Sequence, residues 1–327
     1  MRTHRMFYGL VLACSSVLAA RTTSHTSAVA HVVVTNSSYD HDPPALTADD
    51  VILTDGYNPL PITALVPLRG ARADLEIYVL VDNSSNLDLG ERFAELREFL
   101  DSQPSTTSIG VAYIRDGRLD VAQPPTHERT QALQALARPS GNVPSNPYRP
   151  LAELIEGWHP DASRHVVLMI SNGIDPGATG LTNASVEIAL QLAQRAGVMV
   201  YSIELPAADY QTNGFMASFS GEVQLAHLST ETGGAAYFQN PGPLASFVPY
   251  LAEIRDHLTN QYLLEFQTNP EKCGGLQDVS ITSKHRDVHV TAPWRVPVPA
   301  PPALTSDPDS LAKRGSGSRK KTRRQAL

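Results

Sequence analysis

The chain has 327 residues, 42% of them hydrophobic, and a formal net charge of -7, which is enough apolar material for one sizeable core. Its last 15 residues carry Lys313, Arg314, Arg319, Lys320, Lys321, Arg323 and Arg324 and no carboxylate, so the remainder is twice as negative as the whole. So acidic a body does not bind nucleic acid through its own surface potential, and that class of partner is excluded.

The first residues read as an export signal. Arg2 and Arg5 precede an uncharged stretch from Met6 to Ala20 that is short for a membrane span. Ala19-Ala20 and Ala28-Val29-Ala30 both offer small residues for cleavage. Two alternatives stand beside this: an uncleaved anchor, or a lipoprotein in which Val11-Leu12-Ala13-Cys14 ends on a lipidated Cys14. With Cys14 removed, Cys273 is the one thiol left, and no internal disulfide forms. Exported, the protein would be periplasmic, surface-bound or secreted.

Residues 31–72 form a β-rich lead-in, with strands at His31–Thr35, Val51–Leu53 and Ile62–Leu65 and an Asp55-Gly56 turn between the last two. From residue 73 to 260, strands and helices alternate. Leu75–Val81, His165–Ile170 and Val198–Ile203 are continuous apolar runs, as expected of strands buried on both faces. Ser108–Ile114 and Arg118–Ala122 are further strands around the Asp116-Gly117 turn, and Ala235–Phe238 is extended. Helical spacing marks Leu89–Leu100, Thr126–Ala137, Leu151–Trp158, Val186–Ala196, Glu222–Thr232 and Leu244–Leu258, with Gly197 placed as a left-handed cap. The order predicts a doubly wound, mostly parallel α/β sheet with helices on both faces.

Residues 261–295 continue as an antiparallel extension, with strands at Gln261–Gln267, Leu276–Thr282 and Asp287–Val290. Pro293–Pro302 holds too many prolines to be expected in a sheet, and residues 296–327 are expected as a Pro-rich, then basic, disordered tail. The tail is either a solvated end or an electrostatic attachment to anionic envelope polymers or lipid headgroups.

In an open parallel sheet, ligands bind beyond the carboxyl ends of the strands. Two loops there are rich in oxygen: Asp82-Asn83-Ser84-Ser85-Asn86 after Val81, and Ser171-Asn172-Gly173-Ile174-Asp175 after Ile170. Such side chains converging from two loops suit a hard cation such as Mg²⁺.

These residues resemble those of von Willebrand factor type A (integrin I-like) domains. That family's metal-ion-dependent adhesion site opens on Asp-x-Ser-x-Ser, where this chain reads Asp82-x-Ser84-x-Asn86. The family's second Asp precedes a Gly, and Asn172 before Gly173 stands there; Ser145 is nearest to the family's Thr. The closest likeness is to the VWFA-related, acidobacterial-type domains of exported bacterial proteins. It is carried by Leu46–Gly56, Ala196–Ile203, Thr230–Phe238 and Asn260–Leu264, and spans residues 45–295. The resemblance implies adhesion or assembly through a partner protein seated on the loops after Val81 and Ile170. It also implies a Mg²⁺ or Mn²⁺ site at Asp82, Ser84, Asn86, Ser145 and Asn172.

Asn172 removes a negative charge from beside such an ion, so the site is expected to be degenerate, with Asp82 and Ser84 left to cap a helix or hold the loop. Asp175 and Asp88 are the carboxylates that could compensate. The chain has no His-Glu-x-x-His, Gly-x-Ser-x-Gly, Walker or Gly-x-Gly-x-x-Gly motif, and no catalytic constellation stands out. Binding is therefore expected rather than catalysis, the alternative being a structural component of an envelope complex with no ligand site. Trp158 and Trp294 read as packing residues.

Overall fold

The computed structural model describes residues 28–38, 42–83, 89–136, 145–158, 164–178, 183–206, 214–239, 244–268 and 275–299. The export segment before residue 28, Ser84, Asn86, Asp88, Cys273 and the basic tail lie outside them.

The chain starts with β1 (Val29–Ser37), β2 (Val51–Asp55), β3 (Asn58–Pro59) and β4 (Ile62–Pro67). Next come β5 (Leu75–Asp82), α1 (Gly90–Asp101), β6 (Thr107–Arg115), β7 (Arg118–Thr126), α2 (Arg129–Ala135) and α3 (Tyr148–Glu156). The second half runs β8 (His165–Ser171), α4 (Ala184–Ala196), β9 (Val198–Glu204), α5 (Gly214–Glu231), β10 (Ala236–Tyr237) and α6 (Val248–Thr259). It ends in β11 (Gln261–Gln267), β12 (Gly275–Asp278), β13 (Ser280–Ser283), β14 (His289–Thr291) and β15 (Arg295–Val298).

Among the described residues, the central sheet has six strands in the order β10-β9-β8-β5-β6-β7, parallel except for β7. Numbered along the chain, that order is 3-2-1-4-5-6 in type, the doubly wound arrangement. All seven residues of β8 and of β9 are buried, which is why their sequences are almost wholly apolar. Alternate residues of β5 serve opposite cores. Ile77, Val79 and Val81 pack with Phe93, Leu96 and Phe99 of α1 and Leu251 and Ile254 of α6. Tyr78 and Leu80 face Leu151 and Ile155 of α3, Leu190 of α4 and Leu225 of α5. Trp158 packs edge-on against Tyr78 and His165, at ring separations of 5.2 and 5.0 Å.

The lead-in and the C-terminal strands build a second layer together. β1 runs antiparallel to β11 from Val29↔Gln267 to Thr35↔Gln261, flanked by β14 and β4. Ala30, Val32 and Val34 point inward onto Leu264 and Phe266. Arg164 joins the layers. Its guanidinium donates to the carbonyls of Ala73 (2.6 Å), Asp74 (3.1 Å) and Leu258 (3.0 Å) and to Gln261 Oε1 (2.8 Å). Burial pulls its pKa down to about 10.

Four expectations need correction. The Asp55-Gly56 turn returns β2 onto the two-residue β3, whereas β4 leaves to pair with β11. The helix expected from Thr126 begins at Arg129, because edge strand β7 extends through Thr126 and accommodates Pro124 and Pro125 there. Helix α5 starts well before Glu222, since Met216 (66% exposed) and Phe219 (40%) break the apolar period on its outer face. Finally, Arg295–Val298 does pair, with β12. The Val279 N–H donates to the Trp294 carbonyl, and ladder alternation then puts Pro297 at a non-bonded position where its missing N–H costs nothing.

Candidate functional site

Strands β5 and β8 are parallel neighbours with Val81 opposite Ile170, so Asp82 and Ser171 end side by side. This is also where the strand order reverses, the crevice in which open α/β sheets hold ligands. Both side chains are buried, Asp82 at 1% and Ser171 at 0% exposure. The Ser171 hydroxyl donates to Asp82 Oδ2 at 2.6 Å and accepts the Gly173 N–H at 3.0 Å. The Tyr148 hydroxyl donates to the Gly173 carbonyl at 2.7 Å. Burial, reinforced by the negative charges of Asp82 and Asp175, pushes the Tyr148 pKa well up, so this phenol stays a donor.

The turn itself is set by backbone geometry. Asn172 Oδ1 accepts the Ile174 N–H at 2.9 Å, closing an Asx turn, and Gly173 adopts φ +67°. A Cβ on Gly173 would lie 2.6 Å from the Gly221 carbonyl oxygen, and one on Gly221 would lie 2.4 Å from that of Asn172. Helix α5 therefore rests on the turn backbone to backbone, through a pair of glycines.

Asp175 is occupied next to this turn. Its Oδ2 accepts from Asn146 Nδ2 (2.6 Å) and Asn183 Nδ2 (3.0 Å), and its Oδ1 accepts the Gly177 N–H (2.9 Å). Asn146 also donates to Ser185 Oγ, while its Oδ1 accepts the Tyr148 N–H. Asn183 caps α4 through the Ser185 N–H. Ser145 sits at the β6–β7 turn, where a Cβ on Gly117 would meet its own Cβ at 3.3 Å.

Of the described members of the expected metal site, Asp82 accepts a hydrogen bond from the Ser171 hydroxyl, Asn172 spends its carbonyl oxygen on its own loop, and Ser145 lies against Gly117. Among the described residues, no three His, Cys, Asp or Glu side chains are grouped to hold a metal. Two contributors escape sequence reasoning. Ser171 stands out there only as one member of an oxygen-rich loop, and Glu204 is merely the first polar residue after an apolar run.

Glu204 stands opposite Ser171 at the end of β9, 6% exposed, and its Oε2 accepts the Gln239 N–H at 3.1 Å. Burial raises its pKa from 4.5 to about 7; the Gln239 hydrogen bond opposes this and Glu222 adds to it. Between those two values the folded chain holds a proton that the unfolded chain has released, so the Glu204 contribution to stability falls as pH rises through the window. His165 and His257, whose pKa values burial lowers, titrate in the opposite sense. The measurement is therefore a difference. Urea unfolding of wild type and Glu204→Gln across pH 4.5–7.5 should show the variant gaining about 2 kcal/mol on wild type towards the alkaline end.

No family model matches the chain, and no curated protein matches it. Similar solved structures include the von Willebrand factor type A protein from Catenulispora acidiphila, at 12% identity over 85% of this chain and 75% of that one, TM-score 0.42. Another is the vWF domain of the type V pili tip protein Mfa5 from Porphyromonas gingivalis, at 10% over 59% and 96%, TM-score 0.42. A third is the ArnB paralog VWA2 from Sulfolobus acidocaldarius, at 9% over 87% and 78%, TM-score 0.40. None of these likenesses says what this chain binds. With its 3-2-1-4-5-6 sheet and its polar crevice between the ends of β5 and β8, the chain has a von Willebrand factor type A-like fold.

Proposed function

We propose that this chain is an exported, non-enzymatic binding module that engages another protein at the loops following β5 and β8, and that it does so without a metal ion. The observation that carries the reading is the Ser171–Asp82 hydrogen bond at the strand-order reversal. A hydroxyl proton stands on the carboxylate where a divalent ion would otherwise supply the positive charge, which leaves the neighbouring turn pre-formed. On this reading Asp82, Ser84, Asn86, Ser145 and Asn172 are the remnant of a Mg²⁺ or Mn²⁺ site. Kinship with the VWFA-related exported proteins is part of the same reading.

Export follows from Arg2, Arg5 and the apolar stretch Met6–Ala20, and no helix among the described residues is long and apolar enough to cross a membrane. Cleavage near Ala19-Ala20 fits better than cleavage after Ala30. Ala30 is 1% exposed and pairs with Phe266, so removing it would cut into β1. Envelope attachment through the basic tail or a lipidated Cys14 belongs to the same proposal, as does a division into signal, β-rich lead-in, central domain (73–260), antiparallel extension and tail, with the signal ending before β1 and the tail beginning after β15.

A second reading, a structural component docked through its β layer, is favoured by one observation: Tyr57 is fully exposed on the β2–β3 turn, with Ile52 (42%) and Trp294 (52%) also open. Photo-crosslinking separates the two. A benzophenone side chain at exposed Pro176, in the β8–α4 loop, should yield a partner adduct in intact cells, while one at Tyr57 should not, and chelation of divalent ions should leave the yield unchanged. Adducts at Tyr57 alone would establish the second reading; loss on chelation would restore the metal.

A further inference from the structure

A second site lies at the opposite edge of the central sheet, away from Asp82 and Ser171. A cavity of about 260 Å³ opens between β1, β15, the start of β8 and the last turn of α4. At about 30 Å³ per water molecule, it has room for about nine waters, the scale of a small ligand. His31, His165, Gln194, Arg195 and Arg295 line it, with Leu263 among its apolar walls, and no carboxylate side chain of the described residues joins them. In so acidic a chain, a lining with two guanidinium groups and no acid selects for an anion.

Two buried polar groups on this lining are unsatisfied among the described residues. Gln194 is 2% exposed, and its Nε2 donates to the Glu231 carbonyl at 3.0 Å, yet its Oε1 has no partner. His165 is 8% exposed, and its Nε2 has none either. A buried carbonyl oxygen without a donor is costly and marks where an N–H or O–H belongs. Arg195 is exposed at the rim, and Arg295 spends its Nε on Asp278 Oδ1 at 2.9 Å. The carbonyl end of α4 opposes an anion by about half a charge, less than the guanidinium on Arg195 supplies.

We propose that this cavity binds a small carboxylate that carries an N–H donor and an apolar body, the chemistry shared by an N-acylated amino acid and a free peptide C-terminus. The carboxylate pairs with Arg195 and Arg295, the N–H satisfies Gln194 Oε1, and the apolar part lies against Leu263. Guanidinium–carboxylate hydrogen bonds are charge-assisted and planar, so the carboxylate sets the affinity.

The test is a titration of the full chain with N-acetyl-leucine, followed by amide chemical shifts and calorimetry. Saturable binding is expected, with perturbations at residues 194–197 and at Arg295 and Val296. N-acetyl-leucine amide, which lacks the carboxylate, should bind at least tenfold more weakly, and Arg195→Gln should lose a similar factor at an unchanged melting temperature, because Arg195 is exposed. A hexapeptide ending in a free leucine distinguishes the sources: binding as tight as that of N-acetyl-leucine identifies a chain terminus, and its exclusion identifies a small molecule. No saturation by either probe, equal binding of the amide, or indifference to Arg195→Gln would overturn the assignment.

Discussion

Replacing Arg164 by alanine is expected to lower the free energy of unfolding by about 3–5 kcal/mol, among the large losses for a single substitution. Arg164 is 3% exposed, and its guanidinium serves acceptors on three separate segments: Ala73 and Asp74 before β5, Leu258 at the end of α6, and Gln261 at the start of β11. Removing it takes the guanidinium donor from the buried Leu258 carbonyl and Gln261 amide oxygen and from the partly buried Ala73 and Asp74 carbonyls, and opens a void between the central sheet and the β layer. Arg164→Lys should recover only part of the loss, because one ammonium on a flexible stem cannot span the same fork of acceptors. Guanidinium chloride unfolding of the three proteins measures it. A change below about 1 kcal/mol for Arg164→Ala would mean that the layers are held together by their apolar contacts alone.

Gly221→Ala sets two effects of opposite sign against each other. In the interior of α5, alanine is favoured over glycine by up to about 1 kcal/mol. Against that, the new Cβ would lie 2.4 Å from the Asn172 carbonyl oxygen and 3.2 Å from Ile174 Cγ1. The obstacle is backbone, which cannot swing aside as a side-chain tip can, so the overpacking cost of about 1–3 kcal/mol should win. The variant is expected to be net destabilised and to shift the amide resonances of residues 172–174, because the turn must move away from the helix. Thermal unfolding and amide spectra decide it. A stabilised Gly221→Ala with unmoved turn resonances would show that α5 does not set the position of the loop.

The parts of this fold that the sequence reveals are those where burial is continuous. β5, β8 and β9 are read directly because helices cover both of their faces, so apolar residues dominate each strand and Glu76 and Ser202 are only isolated interruptions. Asp82 and the Asn172 turn are also legible, since polar groups right after such a run fall at the carboxyl edge of the sheet. Ser171 and Glu204 are not, because each gains its meaning from the neighbouring strand: Ser171 matters only with Asp82 beside it, and Glu204 only because Gln239 and the sheet edge enclose it. Ser145 shows what a resemblance alone leaves out. It is singled out as the nearest match to the family's Thr, and its neighbour Asn146 is the one bonded to Asp175, a link that the resemblance does not point to. Arg164 gives no local signal either, as its four acceptors come from positions far apart along the chain.

The pairing of β1 with β11 also constrains how the molecule is made. Thr35 and Gln261, opposite each other in this ladder, are 226 positions apart, so a chain delivered from its first residue exposes the apolar side of Val32 and Val34 until nearly all of the α/β body has emerged. Closing so long a loop makes the β layer the last part to assemble. Until then β1 is an unpaired hydrophobic edge, open to annealing with another copy of itself.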